Sequence, residues 1–433
     1  MCTSKRARSR AVVMSCLPLA GALLCTGASA QSSVTLYGVV DNAFTYVSNQ
    51  RGHANFYMSQ GNLQASKFGL LGAEDLGGGT KAIFRLESGF NSLTGAQSSS
   101  GFIFNRQAYV GLSNDRYGTV TLGRQYTPYF QMVGALGPTG VLTGATGAHP
   151  GDIDALDTTL CLNNSVTYLS PTIAGLQFSA QYGLGGVPGS VANGSHFSAA
   201  FRYDYKPFAV AAGYVKPKDI ATSAALGTYA INSPVNSGYA SARSAQLFAA
   251  AARYTAQDLM VGINYSNVQY APGHGSLFAS EGVFNTYGVI STYRITPAVI
   301  VGAGYSYTRA SKANGVSDPA RYHQISLEQT YSLSTRTTLY ALEAYQLARQ
   351  DARRRGQRRD EHHRRSGGSR RLAERDAFVG TFAIRRHGGL EARVLALRCA
   401  SGKMRCKPLR RIFHTFPHSS NSATRNTKQK NLV

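Results

Sequence analysis

From Ser33 to about Leu347, apolar and polar residues alternate with a period of two, in runs of roughly ten residues closed by turns. In the segment TKAIFRLESGF, Ala82, Phe84, Leu86 and Phe90 share one face, and Lys81, Ile83, Arg85 and Glu87 share the other. In LQFSAQY, Leu176, Phe178, Ala180 and Tyr182 oppose Gln177, Ser179 and Gln181. Successive side chains of a strand point to opposite faces, so each run carries one oily and one wet surface. Fifteen such runs lie near 34–46, 63–75, 79–90, 102–114, 117–124, 163–170, 175–184, 196–205, 208–217, 244–254, 258–270, 284–295, 298–308, 321–332 and 335–347. Short turns near 75–80, 114–119, 170–175, 205–208, 254–258, 295–298 and 332–335 are built from Gly, Pro, Asn, Asp and Ser, which suit tight reversals. The alternate connections are long and polar: 48–62, 91–101, 218–243, 271–283 and 309–320.

Short turns on one side and long loops on the other are the asymmetry of a transmembrane barrel. Fifteen strands in an open sheet would leave two edges of unpaired backbone, which is costly in hydrocarbon, so a sixteenth strand is required. Residues 377–385 supply it, with Phe378, Gly380, Phe382 and Ile384 alternating against Val379, Thr381 and Ala383. The expected fold is therefore all-β: a 16-stranded antiparallel transmembrane barrel. Tyr46, Tyr182, Tyr203, Tyr205, Tyr254, Tyr270, Tyr293, Tyr305, Tyr307, Tyr340 and Tyr345 fall near strand ends, as the aromatic girdles of a membrane barrel require.

Composition and charge refine this picture. Trp is absent, while 25 Tyr, 19 Phe and 46 Gly suit strands and turns rather than helices. Lys5, Arg6, Arg8 and Arg10, an apolar stretch and Ala28-Ser29-Ala30 have the form of a cleaved export signal over residues 1–30. Cys2, Cys16 and Cys25 lie within it, so no disulfide framework is expected. Cys399 with Cys406 and the histidine pairs of the tail lack zinc-site spacing, and neither metal nor cofactor is expected. The formal charge of +24 is concentrated in residues 350–433, which hold 22 Lys+Arg against 6 Asp+Glu. With the four basic residues of the leader also set aside, the body carries only +4, which removes the case for a nucleic-acid partner.

The segments SSVTLYGVVDNAF, SKFGLLGAEDLGGGTKAIFRLESGF, NRQAYVGLSNDRYGTVTLGRQYTP, NNSVTYLSP and FVGTFAIR together resemble the trimeric general porins of β-proteobacteria, over residues 31–349 and again at 377–385. The resemblance implies a homotrimer in the outer membrane, in contact with the lipid bilayer and lipopolysaccharide, that passes ions and small hydrophilic solutes. It also implies that the long third loop, here about Gln125 to Leu162, folds into the lumen and narrows it. At that constriction, basic side chains on the wall face acidic ones on the loop. Matched to the family's motifs, the basic wall falls on Lys67, Arg106 and Cys161, the last replacing a basic residue, and Leu71 stands where the family often has a charge. Strand parity sets Lys67 against Phe68 and Leu70, and Arg106 against Gln107 and Tyr109, so both are expected in the lumen. Arg85 and Glu87 share the lumen parity of their strand, and Asp152, Asp154 and Asp157 are the loop's acidic candidates. With the basic side weakened at Cys161, the pore is expected to be weakly anion-selective or unselective.

Residues 350–376 break the pattern: they are rich in Arg, Gly, Asp and Ser, do not alternate, and read as an out-of-frame stretch. A second shift near Arg386 would account for the basic tail 387–433, which replaces the terminal aromatic that the resemblance implies and so bears on assembly. The functional alternative is a polybasic loop that binds lipopolysaccharide phosphates. Two other classes were weighed. A barrel enzyme would need His and Ser or Asp converging on one rim, whereas His53, His149, His196, His274 and His323 lie in or beside separate loops and are read as surface residues. A secreted β-rich adhesin would have polar outward faces, which the recurring apolar face argues against. No catalytic chemistry is expected.

Overall fold

The computed structural model describes residues 32–50, 52–157, 160–220, 223–227, 231, 233–316 and 318–349, and the backbone of 377–387. The expected leader and, of the two segments read as out of frame, residues 350–376 and 388–433 lie outside these residues. The strands are β1 (Ser33–Gln50), β2 (His53–Gln60), β3 (Lys67–Gly77), β4 (Thr80–Gly89), β5 (Gln107–Asn114), β6 (Gly118–Tyr126), β7 (Cys161–Leu169), β8 (Leu176–Gly183) and β9 (His196–Tyr205). They continue as β10 (Phe208–Pro217), β11 (Ser244–Ala256), β12 (Leu259–Ala271), β13 (Gly282–Thr296), β14 (Val299–Ala310), β15 (Arg321–Ser332), β16 (Thr337–Arg349) and β17 (Ala377–His387). Neighbours pair antiparallel, and β17 returns to β1, from Val39 opposite His387 to Val47 opposite Val379. The sheet closes, and the sixteenth run read from the sequence is the strand that closes it.

One expectation is corrected. Residues 53–60, read as part of a loop, form β2, because Phe56, Tyr57 and Met58 in succession hide the alternation while Phe56 stacks on Phe44 across the pair. β1 pairs with β3 through Ser33–Val39 and with β2 from Asn42 onward, so β2 and β3 share one of sixteen positions round the ring. Residues 61–66 between them are a gap in the ladder, and Asp41 repairs it. Its carboxylate accepts from the backbone N–H groups of Leu63 (3.1 Å) and Gln64 (2.8 Å) and from the Tyr340 hydroxyl. Its own backbone carbonyl accepts from Gly61.

The outward face is apolar and exposed, with Leu36 at 71% and Ile263 at 61% accessibility, a belt that belongs in lipid rather than water. Among the described residues no helix is long and apolar enough to cross a membrane. The inward face departs from the expected wet surface. Between β6 and β7, residues 127–160 include α1 (Pro128–Val133), capped by Thr127 and opened by Pro128, and α2 (Pro138–Val141). Tyr129, Met132, Val133, Leu136, Ile153, Leu156 and Leu160 of this segment form one buried cluster with Ala209, Ala211 and Val215 on β10 and Ala245, Leu247, Ala249 and Ala251 on β11. These strand positions alternate with the exposed Phe208, Val210 and Phe248, so they lie on the opposite face. Nearby, Leu142 lies over Gly302 and Gly304, where an added Cβ would come within 2.4 and 2.8 Å of its methyl groups. Two members of the expected girdle also move indoors: Tyr270 joins the buried cluster, and Tyr340 is buried against Asp41.

Replacing Asp41 should weaken closure, because two backbone donors and a tyrosine hydroxyl lose a buried acceptor, each at about 1–3 kcal/mol. Asp41→Ala is expected to lower the temperature at which the folded electrophoretic band is lost, with Asp41→Asn in between. An unchanged transition in the alanine variant would refute this role.

Candidate functional site

The charged residues of the inner wall gather on Glu87. On the paired strands β3 and β4, Lys67, Gly69 and Leu71 stand opposite Gly89, Glu87 and Arg85. Glu87 Oε1 accepts from Arg106 Nε (2.9 Å) and from the Tyr126 hydroxyl (3.3 Å), while Oε2 accepts from the Tyr37 hydroxyl (2.7 Å). Gly69 makes room for this arrangement, since a Cβ there would lie 2.7 Å from the Tyr37 ring. The Arg85 guanidinium lies 5.4 Å from the centre of the Tyr37 ring, and Arg106 lies 5.5 Å from that of Tyr126. Lys67 lies within electrostatic reach of Glu87. Lys67, Arg85, Glu87 and Arg106 thus share one wall.

Arg106 reaches that wall by a different route from the one parity gave. Gln107 and Tyr109 pair with Glu87 and Arg85 and face inward themselves. β5 begins only at Gln107, so Arg106 lies in the bend before it, where alternation does not apply. Its backbone N–H donates to the Glu87 carbonyl (3.2 Å), and the side chain follows to the carboxylate.

The three loop carboxylates have separate surroundings. Asp152 Oδ1 accepts from the Asp157 backbone N–H (3.0 Å), closing a local turn. Asp154 is fully buried away from the basic wall; its Oδ2 lies 2.6 Å from His149 Nδ1 and accepts from Ser266 Oγ on β12 (2.7 Å). Burial opposes charge on both members of this pair. The carboxylate nevertheless holds His149 above the ordinary imidazole value, and the imidazole with the Ser266 hydroxyl holds Asp154 below the ordinary carboxylate value. Asp157 is the loop acid under the influence of the basic wall: burial pushes its carboxyl up to about 7, against the pull of Arg106. Cys161 is buried opposite Tyr126 at the start of β7.

The reading of the histidines as surface residues is corrected for two of them. His149 and His196 are buried, the first in the segment that packs inside the sheet and the second at the start of β9 beside Ser165 Oγ (3.1 Å). Arg124 carries no site signal in the sequence pattern. Its Nε donates to the Asn105 carbonyl (2.7 Å) and its Nη1 to Asn163 Oδ1 (2.5 Å), fastening the start of β5 to the start of β7. The break in register between Gly123 and Gln125 that aims it there has no period to betray it.

A closed barrel with an apolar outer belt and a charged inner wall is the architecture of a membrane-spanning β-barrel protein. The chain belongs to the Gram-negative porin family, whose profile it matches over residues 18–352. It is 35% identical over 181 residues to an outer membrane porin protein of Bordetella pertussis, covering 38% of this chain and 46% of that one. To outer membrane porin protein 32 of Delftia acidovorans it is 33% identical over 207 residues, covering 44% and 56%. The chain thus spans about half the length of these curated relatives. In fold it is similar to an anion-selective porin from Comamonas acidovorans, with a TM-score of 0.63 and 22% identity over 83% of this chain and all of that one.

The His149–Asp154–Ser266 link predicts a pH-dependent anchor. Asp154, held low, adds stability that is present above 3.8 and lost as pH falls through its lower folded value; His149, held high, adds stability that is full below 6.5 and lost as pH rises through its higher one. The anchor is therefore strongest between 3.8 and 6.5. The thermal transition of the folded chain should fall as pH rises above 6.5, and Asp154→Asn should flatten that fall. The same slope in both proteins would exclude the pair as its source.

Proposed function

We propose that the chain forms a water-filled channel through which ions and small hydrophilic solutes diffuse passively across the outer membrane, with no catalytic step. Residues 127–160 narrow that channel, and the homotrimer is the assembled form, in contact with bilayer lipid and lipopolysaccharide. In this reading residues 1–30 are a cleaved leader and residues 31–349 with 377–386 are the barrel. The observation that carries the proposal is the gathering of Lys67, Arg85 and Arg106 on the inner wall of a closed barrel, with Asp157 on the loop under the influence of Arg106.

The arrangement supports weak anion preference. Arg106 and Glu87 offset one another through a buried, hydrogen-bonded contact, Lys67 also acts on Glu87, and Arg106 in turn faces Asp157. A thiol stands at Cys161, where the family resemblance implies a cation. Solvent in the lumen screens what is left, so the transverse field is modest.

In planar bilayers the protein should give stepwise conductance, with a reversal potential in a KCl gradient that is near zero or slightly on the anion side. Strong cation preference would overturn the assignment of selectivity, and absence of conductance would overturn the channel itself. Because the Asp157 carboxyl titrates at about 7, anion preference should decrease as pH rises through neutrality and the carboxylate forms. Asp157→Asn should hold the low-pH selectivity throughout, and Arg85→Glu should shift the reversal potential toward cations.

A further inference from the structure

Where residues 127–160 lie against the inner wall, buried polar atoms face a cavity. His149 is tied through Nδ1 to the Asp154 carboxylate (2.6 Å), which leaves the other ring nitrogen, Nε2, turned away from that pair. Nε2 is buried without a hydrogen bond, and so are both Oδ1 and Nδ2 of Asn264 on β12. The Asn264 amide is near enough to act on the ionisation of His149, but the geometry of a direct bond is not met. Both side chains line a cavity of about 10 Å³ together with Gly288 on β13, Gly304 and Ser306 on β14 and Ser326 on β15. His149, Asn264, Ser306 and Ser326 are 3%, 8%, 6% and 4% exposed, so bulk solvent does not serve them.

Glycine makes the room. A Cβ at Gly288 would lie 2.4 Å from Asn264 Oδ1, and one at Gly304 would lie 3.1 Å from Ser326 Oγ. Beside the cavity, Gln324 Nε2 donates to the Ala148 carbonyl (2.9 Å), which fixes the position of His149 along the wall. Buried polar groups in native proteins are nearly always satisfied, so the orphaned atoms of His149 and Asn264 call for a shared partner. Size and chemistry select it. A space of about 10 Å³ holds one water, and the two to four polar neighbours that a buried water needs are present. A water both donates and accepts, so it satisfies Nε2 whether that nitrogen carries a proton or a lone pair, whereas an anion would satisfy only the protonated ring. We propose that the cavity is a binding site for one water molecule, which joins His149 Nε2 to the Asn264 side-chain amide, with Ser306 and Ser326 as further partners. The segment is then held in two ways: dry against the alanines of β10 and β11, and through a water against β12 to β15.

The test is a crystal structure of the folded protein, grown once from chloride and once from bromide, with Asn264→Leu beside the native chain. The expected result is a single peak of water density within hydrogen-bond distance of Nε2 and the Asn264 amide in both salts, without anomalous signal from bromine, and loss of that peak in Asn264→Leu. An anomalous peak in the cavity would overturn the water in favour of a small anion. An empty cavity in the native chain, or a direct bond between His149 and Asn264 that closes it, would overturn the site. A peak unchanged in Asn264→Leu would overturn the amide as its partner. Should the substituted chain not fold, the native crystals in the two salts decide.

Discussion

A sheet in hydrocarbon has no water to satisfy its edges, so every backbone N–H and C=O must find a partner within the protein, and closure is the constraint from which the other features follow. It requires an even number of positions, because β1 and β17 meet antiparallel. It also makes β1 serve several neighbours at different heights: β3 below, β2 above and β17 along the other edge. The point of change is where hydrogen bonds would be lost. Asp41 stands there, and its one carboxylate holds the 61–66 gap and strand β16 together.

Closure leaves an interior to be filled. On β10 and β11 the inward positions are mostly alanine, with Gly302 and Gly304 on β14, a wall too small and apolar to face water at no cost. The helical segment after β6 covers that wall with aromatic and aliphatic side chains, and the fully buried ones each contribute roughly 1.5–3 kcal/mol. The two surfaces depend on one another, with Ile220, Leu226 and Ile231 of the connection after β10 completing the same cluster. On the wall of β3, β4 and β5, Tyr37, Tyr126 and Glu87 hold Arg106 in place while Arg85 and Lys67 share the same wall. The polar wall and the apolar wall are two consequences of seating one segment.

What was legible in the sequence was whatever repeats. Period two gave the strands, and the demand for an even, closed ring picked out the strand at Ala377, where pattern alone was thin. It failed at β2, where three large apolar residues in succession mask the period. Parity also placed Lys67, Arg85 and Glu87, which lie within strands, but it gave a wrong premise for Arg106, which lies one residue outside one. The side chains of the long connections were beyond it. Asp154 reaches across 112 residues to Ser266, and His149 goes with it, a contact set by packing between segments that share no periodicity. The alanine-rich strands carried a readable signal of their own: AVAAGYV and LFAAAARY are apolar on both faces, as a strand must be when something other than water covers its second face.

Net charge is the least informative summary of such a chain, because alternation sends neighbouring cations into different solvents. Arg85 and Arg106 lie inside, where Tyr rings and a buried carboxylate fix their direction and leave a modest field across the lumen. Arg309, Arg321 and Arg349 lie outside, with the parity of the exposed Tyr305, Ile325 and Tyr345. A shift of one residue in the register of β14 or β15 would exchange these destinations, carrying cations into the lumen and the buried Ser306 and Gln324 into lipid. The same pairing that satisfies the backbone therefore also assigns each charge to the inner or the outer face, and register fixes that assignment before any individual contact is made.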